Sequence, residues 1–458
     1  MKSYDNYKTI NIDWLDKLPS QWKTIQIKQL KNGDNTVFID GDWIESHVIT
    51  EGGIRYLTTG NIGAGYYKEQ GVGFINEETF EKLNCTEVFP GDLLISRLNE
   101  PIGRACIIPD LGYRIITAVD NVILRPKKPF NVRYLMHLMN SPEYSAYTSL
   151  ISRGATMKRI SRGLLGGIKI PFPSGEEQIK IADFLDYKTN LVDLTIEKKK
   201  KLIDLLKEKR QAVINEALTK GLNPNAPMKD SGLKWLGEIP EHWNVRNFDS
   251  TAMKNQYSFT GGPFGSDLKS DEYTDTGVRI IQLQNIGVGI FKDDYKIYTS
   301  DEKAVQLESC LIFPGDIIIA KMADPVARAC IIPNFEEKYI MASDGIRLEV
   351  DKHFFNTKFI EYSVNSIYFN SQAEAVSTGT TRLRIGLTVL KKLKILAPPI
   401  EEQNLIVEEL MIQELKINSI VSKLDKQIQK LQFYRQSIIS EAVTGKIDVR
   451  DWQPNLNT

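Results

Sequence analysis

The sequence FPGDLLISRLNEPIGRACIIPD at residues 89–110 returns as FPGDIIIAKMADPVARACIIPN at residues 313–334. The same order of motifs continues on both sides of this pair, and the offset between matching residues grows only from 221 to 225. A match this sustained indicates a duplication, and its period is far longer than the roughly 20–50 residues of a solenoid repeat. The chain therefore contains two related copies of one large domain. The other matching segments are WLDKLPSQW at 14–22 with WLGEIPEHW at 235–243, NIGAGYY at 61–67 with NIGVGIF at 285–291, GATMKRIS at 154–161 with GTTRLRIG at 379–386, IKIPFPSGEEQ at 168–178 with LKILAPPIEEQ at 393–403, and RQAVINEALTKG at 210–221 with RQSIISEAVTGK at 435–446.

Each copy divides into a mixed α/β part and a helical part. Short β-branched runs such as GDIIIAK alternate with Gly, Asn and Pro turns in the first part. Proline and glycine are then absent from Glu176 to Thr219 and from Glu401 to Val443. A helix of that length would extend about 65 Å. We expect a mixed α+β fold with two pseudo-symmetric repeats, whose parts are residues 1–167 (globular domain 1), 168–221 (long-helix region 1), 222–392 (globular domain 2) and 393–458 (long-helix region 2).

Both predicted helices carry a continuous apolar seam. Its positions step by 7 and then by 4 or 3, the spacing of residues that pack between helices. Periodicity alone leaves open whether each helix packs against the other copy or against another subunit. The seam comprises Leu185, Val192, Ile196, Ile203, Leu206 and Val213 in the first helix and Leu410, Ile417, Val421, Ile428, Leu431 and Ile438 in the second.

Composition excludes several classes of protein. The 458 residues are 42% apolar and 25% charged, with 58 basic and 58 acidic side chains, which is typical of a globular protein with a large core. No run approaches the roughly 18 apolar residues of a membrane-spanning helix, and the N-terminus lacks a secretory signal, so we expect a cytoplasmic protein without a membrane partner. The four cysteines and four histidines show no metal-ligand spacing, so no metal site is expected.

No catalytic signature is found. Phosphate-binding loops, dinucleotide fingerprints, zinc-protease motifs and nucleophile elbows are absent from the sequence. The duplicated Pro-Gly-Asp, with Asp92 before Arg97 and Asp316 before Lys321, faintly resembles a nuclease site but lacks a second carboxylate for Mg²⁺. A tight turn into a buried strand is the favoured interpretation, and we expect no catalytic residues and no cofactor on this chain.

Two acid-free basic segments favour binding to nucleic acid instead. Residues 151–169 and 376–394 each contain five basic side chains and no acidic one. Such segments suit contact with phosphates, although a solvated basic loop is the simpler alternative. The Asn-Ile-Gly turns add Asn61 and Asn285, because asparagine can read adenine, although turn asparagines are also common for local reasons. The candidate DNA-binding residues are Asn61, Arg97, Arg153, Lys158, Arg159, Arg162, Asn285, Lys321, Arg382 and Arg384.

Three further features do not by themselves indicate a binding site. The paired tryptophans at 14, 22, 235 and 243 are expected to anchor the cores rather than to stack on a ligand. The run Lys198–Lys201 is not duplicated, which favours a solvated helix face. The loop GGPFGSDLK at 261–269 has no close counterpart in the first copy, where KNGDNTVFIDGDW stands. Such divergence suits two different targets, and it equally suits two unconstrained loops.

Taken in order, these motifs resemble those of the DNA-specificity subunits of type I restriction–modification enzymes. The resemblance covers essentially the whole chain and rests on the Trp-Leu-x-x-[Ile/Leu]-Pro-x-x-Trp opening, the Asn-Ile-Gly element, the Phe-Pro-Gly-Asp strand, the basic loop and the Glu-Glu-Gln before each long helix. It implies two target-recognition domains, each reading one half of an asymmetric double-stranded DNA site. It also implies an antiparallel coiled coil that sets the spacing between the half-sites.

The same resemblance implies partners that perform the chemistry. Two methyltransferase subunits would bring S-adenosylmethionine, and two motor-nuclease subunits could add reactions that depend on ATP and Mg²⁺. A duplicated coiled-coil scaffold that does not bind DNA is the main alternative, and a self-contained DNA enzyme is a weaker one.

Overall fold

The computed structural model describes residues 2–31, 35–127, 130–233, 235–322, 324–379 and 382–454. The chain forms two compact units, Met1–Lys200 with Asp425–Thr458 and Lys201–Leu424. Each unit therefore contains the globular part of one repeat and a segment of both long helices. No helix within the described ranges is long and apolar enough to cross a membrane.

The first unit contains eleven strands and the helices around them, in the chain order that follows. The strands are β1 (Tyr7–Ile12), β2 (Leu15–Pro19), β3 (Lys23–Gln26), β4 (Val37–Asp40), β5 (Ile54–Leu57), β6 (Phe74–Ile75), β7 (Leu93–Ser96), β8 (Ala105–Ile107), β9 (Ile115–Thr117), β10 (Asn121–Arg125) and β11 (Lys169–Phe172). The helices are α1 (Glu77–Leu83), α2 (Val132–Met139), α3 (Pro142–Ile151), α4 (Arg162–Gly167) and the start of α5 (Gly175–Lys220).

The second unit repeats this plan with one additional short strand. Its strands are β12 (Met228–Asp230), β13 (Glu238–Pro240), β14 (Asn244–Asn247), β15 (Phe259–Gly261), β16 (Val278–Ile281), β17 (Ile297–Thr299), β18 (Leu311–Ile312), β19 (Ile317–Ala320), β20 (Ala329–Ile331), β21 (Tyr339–Met341), β22 (Gly345–Leu348) and β23 (Lys394–Ala397). Its helices are α6 (Asp301–Gln306), α7 (Thr357–Val364), α8 (Ile367–Val376), α9 (Leu387–Lys391) and the start of α10 (Ile400–Val443).

A four-stranded antiparallel sheet organises each unit. Its strand order is β4-β10-β7-β8 in the first unit and β15-β22-β19-β20 in the second. The Phe-Pro-Gly-Asp motif leads into the central strands β7 and β19, whose side chains are all buried, as expected for strands covered on both faces. Each unit also contains a mixed sheet, with three strands (β6-β5-β9) in the first unit and four (β17-β16-β21-β18) in the second.

The two long helices form as predicted and pack together. In the first unit, Arg435 Nε lies 2.9 Å from Asp193 Oδ1, and Lys199 Nζ donates to Gln427 Oε1 at 2.7 Å. The partner residue number on α10 falls as the number on α5 rises, so this pair is antiparallel. In the second unit, Arg210 Nε lies 4.0 Å from Glu414 Oε1. The fold predicted from the duplication, two repeats with an antiparallel helix pair, is confirmed.

Most positions of the predicted seam are buried. Leu185, Val192, Ile196, Ile203, Leu410, Ile417, Ile428 and Ile438 are buried, whereas Leu206, Val213, Val421 and Leu431 are half-buried. Ile214 and Leu218 are buried in the second unit's core instead, because the end of α5 turns its apolar face toward Trp243 and the strands. Lys198, Lys200 and Lys201 are exposed, in agreement with a solvated face.

Candidate nucleic-acid interface

The end of the central strand carries a basic residue in each unit. Arg97 follows β7 and is 5% exposed, with Nε 3.1 Å from Asp40 Oδ1 and one terminal nitrogen donating to Val119 O at 2.5 Å. Burial lowers the pKa of Arg97. The negative charge of Asp40 raises this pKa, and the nearby positive charge of Arg159 lowers it. In this structure the Arg97 side chain supports the loops around it and does not face solvent, and its assignment to DNA binding stays a prediction.

Lys321 occupies the same place after β19. Its Nζ donates to Ser343 O at 2.7 Å, and burial lowers its pKa, an effect that Asp344 opposes and Arg384 reinforces. The side chain is half-buried and committed to a backbone carbonyl. Lys321 therefore also has a supporting position in this structure.

The basic segment of each repeat folds back onto this strand end. In the first unit Arg153 and Arg159 exchange backbone hydrogen bonds of 2.8–2.9 Å, and Ile160 N donates to Arg97 O. In the second unit Thr378 pairs with Arg384 in the same way, and Ile385 N donates to Lys321 O at 2.8 Å. The threonines 380 and 381 of the duplicated motif lie outside the described residues. Backbone pairing thus fixes the loop and leaves its side chains toward solvent.

The exposed side chains of the basic segments form a positively charged surface. Arg159 and Arg384 are equivalent: each guanidinium meets an aspartate of the neighbouring β-turn, Asp120 at 2.7 Å or Asp344 at 2.9 Å. Within the described part of the chain, the guanidinium groups of Arg153 and Arg382 form no ion pair. Two further exposed members are Lys158, which lies 3.4 Å from Glu100, and Arg162, which lies 3.6 Å from Asp40.

Asn61 and Asn285 are buried turn residues. Each is 1% exposed. Asn61 Oδ1 accepts from Thr58 N at 2.8 Å, and Nδ2 donates to Lys68 O and Gln70 O. Asn285 repeats these bonds with Gln282, Lys292 and Tyr295. Because the oxygen and the nitrogen of each amide are bonded within the turn, these asparagines shape the turn in this structure, and their assignment to base contact stays a prediction.

We expect Asn61→Ala and Asn285→Ala each to lower the free energy of unfolding by about 1–3 kcal/mol, because buried backbone groups lose their partners. Local hydrogen exchange of the following hairpin would measure this loss. Gln284→Ala, at the exposed neighbouring position, is the control and should change stability little. A loss of DNA affinity in the asparagine variants without any loss of stability would contradict the structural role.

Sequence inspection missed a duplicated arginine that joins the turn to the strand-end loop. Arg104 donates from Nε to Ile62 O at 2.7 Å, from one terminal nitrogen to Thr59 O and from the other to Leu98 O and its neighbours. Arg328 makes the corresponding bonds to Ile286 O and Leu283 O. Both guanidinium groups contact only backbone carbonyls among the described hydrogen bonds. The repeated Arg-Ala-Cys within the duplicated strand motif was the available signal. Spacing alone does not reveal that the arginine bonds to the backbone carbonyls of a distant turn.

The second unit has a groove where these elements meet. Its cavity volume is about 590 Å³. The groove is lined by Gln284 of the turn, Arg328 just before β20, Arg382 of the basic segment and Glu374 of α8. The groove offers both hydrogen-bond donors and acceptors next to the exposed basic surface, as a surface that contacts base edges requires.

The duplicated Pro-Gly-Asp forms a turn in both units. Asp92 Oδ2 accepts from Phe89 N at 2.9 Å and is paired with Arg125, and Asp316 Oδ2 accepts from Phe313 N at 2.9 Å and is paired with Arg347. These aspartates are committed to the turn and to one arginine each, as the favoured interpretation predicted. Within the described residues, no group of three or more His, Cys, Asp or Glu could hold a metal ion.

Comparison with known proteins adds evidence that is independent of this geometry. A family model described as the type I restriction modification DNA specificity domain matches residues 19–204 and 269–430. The specificity subunit of the type I restriction enzyme MjaVIII from Methanocaldococcus jannaschii is 24% identical over 449 residues, which cover 96% of this chain and 95% of that protein.

Two solved structures share the fold. One is a chain from work on complex assembly and conformational transition of the type I R-M system, with a TM-score of 0.68 and 15% identity over 94% of this chain and 99% of that one. The other is the HsdS subunit from Thermoanaerobacter tengcongensis, with a TM-score of 0.53 and 15% identity over 94% and 98% of the two chains. At this identity the likeness concerns the fold alone.

Proposed function

Because the chain belongs to the family of type I restriction-modification DNA specificity proteins, we propose that each repeat reads one half of an asymmetric, two-part site in double-stranded DNA. One observation carries this proposal: both units hold an exposed, acid-free basic loop against the end of the same central strand. Two such surfaces on one chain suit a target made of two half-sites, because phosphate contacts position a protein while nearby side chains read the bases.

The contacts with DNA are assigned to the exposed side chains. Arg153, Lys158, Arg159 and Arg162 would serve the first half-site, and Arg382 and Arg384 the second. Arg97, Lys321, Asn61 and Asn285 would support them from beneath as positioning residues. The exposed Gln284 is added to the candidates, because an amide in the groove can hydrogen-bond to a base edge.

The chain would act without chemistry of its own in a cytoplasmic complex. Two methyltransferase subunits would bind along the helix pair and bring S-adenosylmethionine, and up to two motor-nuclease subunits would add ATP- and Mg²⁺-dependent steps. The helices α5 and α10 would set the spacer between the half-sites. This division of labour agrees with the absence of catalytic motifs from the sequence.

Methylation mapping tests the function directly. A host would express this chain with the methyltransferase encoded beside it, and long-read sequencing would compare its DNA with that of a host expressing the methyltransferase alone. We expect a gapped, two-part adenine-methylated motif only when both proteins are present. If the two proteins co-purify and methylate DNA without any gapped motif, the specificity role is wrong and the scaffold alternative is supported.

A further inference from the structure

The two loops that differ most between the repeats begin at equivalent positions of the sheet. Asp40 pairs with Val122 on β10, and Gly261 pairs with Ile346 on β22, in the same register of the two sheets. The next residues are Gly41 and Gly262, whose amides donate to Asn121 O at 2.9 Å and to Gly345 O at 2.8 Å. The structure therefore aligns Gly41-Asp42-Trp43 with Gly262-Pro263-Phe264, although the loops that follow differ in sequence.

Close packing explains why both loops begin with glycine, at Gly41 and Gly262. A Cβ on Gly41 would lie 2.3 Å from Thr117 O, and a Cβ on Gly262 would lie 1.9 Å from Ala342 O. No side chain fits at either position, so the loop must leave the sheet in the same way in both units. Each loop then presents an aromatic residue two positions later. Trp43 is 71% exposed and Phe264 is 81% exposed.

Both aromatic residues follow a strand end that lies against basic residues of their unit. Asp40, three residues before Trp43, contacts Arg97 and Arg162. In the second unit a Cβ on Gly261 would lie 2.9 Å from Lys321 Nζ, so the lysine occupies the corresponding space. Two acidic residues of the loops are used locally: Asp42 accepts from Thr86 N, and Asp267 accepts from Phe264 N.

We propose that Trp43 and Phe264 are DNA-contacting residues that stack on, or wedge between, bases of the double-stranded target, one in each half-site. A single exposed apolar residue needs no explanation, but a large aromatic at the same strand end in both repeats, on otherwise different loops, does. Aromatic side chains that approach DNA contribute by stacking on bases or by entering a base step. The arginines and the lysine at the strand ends that precede these loops favour nucleic acid over a protein partner. The proposal rests on the proposed function. Stacking tolerates any base, so the assignment of these two residues does not require the target sequence.

The test uses the purified complex of this chain with its methyltransferase and a duplex carrying the two-part motif mapped for the wild type. Trp43→Ala and Phe264→Ala should each weaken binding by between about 5-fold and 150-fold, the range expected for one base–aromatic contact. Trp43→Phe should retain most of the affinity. The dependence of affinity on salt should not change in any of these variants, because no phosphate contact is lost.

Two matched controls come from the opposite end of the same sheets. Tyr113, which is 56% exposed, and Phe335, which is 61% exposed, lie in the loops that follow β8 and β20. Tyr113→Ala and Phe335→Ala should bind as the wild type does. Equal affinity of Trp43→Ala, Phe264→Ala and the wild type would overturn the proposal, and so would loss of the methyltransferase from the purified complex, which would indicate a protein contact. A wild-type complex that shows no motif-specific binding would instead count against the proposed function.

Discussion

Trp22→Ala should lower the free energy of unfolding of the first unit by about 3–5 kcal/mol, the usual cost of deleting a buried aromatic side chain. Trp22 is 0% exposed and lies in the main core with Leu18, strand β7 and the two helix segments of that unit. Its ring meets Tyr4 edge-on at 5.7 Å between centroids. The tryptophan joins the first strands to the helix pair, so its loss removes contacts from several elements at once.

Trp243 holds the equivalent place in the second unit and gives a sharper comparison. It is also 0% exposed, but its Nε1 donates to Glu402 at 2.9 Å, whereas Nε1 of Trp22 has no hydrogen-bond partner in the described part of the chain. Trp243→Phe should therefore cost about 1.5–3 kcal/mol more than Trp22→Phe, because only the former breaks a hydrogen bond to a charged group.

Hydrogen exchange of the core strands of each unit is the appropriate measurement, because a chain with two compact units need not unfold in a single step. Trp235→Ala serves as the control. Trp235 is 46% exposed and stacks on Tyr368 at 6.1 Å, so its removal should cost clearly less than that of Trp243. If Trp235→Ala lowered the free energy of unfolding as much as Trp243→Ala, the second tryptophan of the motif would not be the main anchor of the core.

The elements that follow from local chemistry could be predicted from the sequence. Absence of proline and glycine predicted a helix from Glu176 to Thr219, and the helix runs from Gly175 to Lys220. The apolar seam predicted the packing face, because side chains spaced by 3 and 4 residues share one side of a helix. The Phe-Pro-Gly-Asp turn is an equally local property. Of the tryptophans expected in the cores, Trp22 and Trp243 are buried whereas Trp235 is 46% exposed, so residue type favours burial without deciding it.

The candidate site was predicted less completely, because a polar residue's role depends on what the rest of the chain brings to it. Arg97 and Arg159 look alike in sequence, yet one is buried beneath the loop and the other is exposed on it. Asn61 was chosen for its hydrogen-bonding amide, and backbone carbonyls seven and nine residues away occupy that amide in the structure. The equivalence of Trp43 and Phe264 rests on strand register, because only Phe38 with Phe259 and Gly41 with Gly262 are identical between the two strand ends.

Replacing both Arg159 and Arg384 with glutamine should produce the largest loss of DNA binding. Each substitution is expected to cost about 1–3 kcal/mol, and because the two residues lie in different units we expect the costs to add, giving about 2–6 kcal/mol for the pair. The slope of log affinity against log salt should also decrease by about 0.9 for each phosphate contact removed. Titration of the motif duplex against the complex at several salt concentrations measures both quantities.

Arg114 and Lys338 provide the matched control for this pair. They are also basic and equivalent in the two repeats, but they lie just before β9 and β21, in the loops at the far end of each sheet, and pair with surface carboxylates. Their double glutamine variant should keep both the affinity and the salt slope of the wild type. If it lost as much binding as the Arg159 and Arg384 variant, the attraction would come from net charge alone. If the basic loops bind DNA specifically, the affinity depends on where the basic side chains lie and not on how many there are. The reason is that phosphate contacts act over short distances at physiological salt.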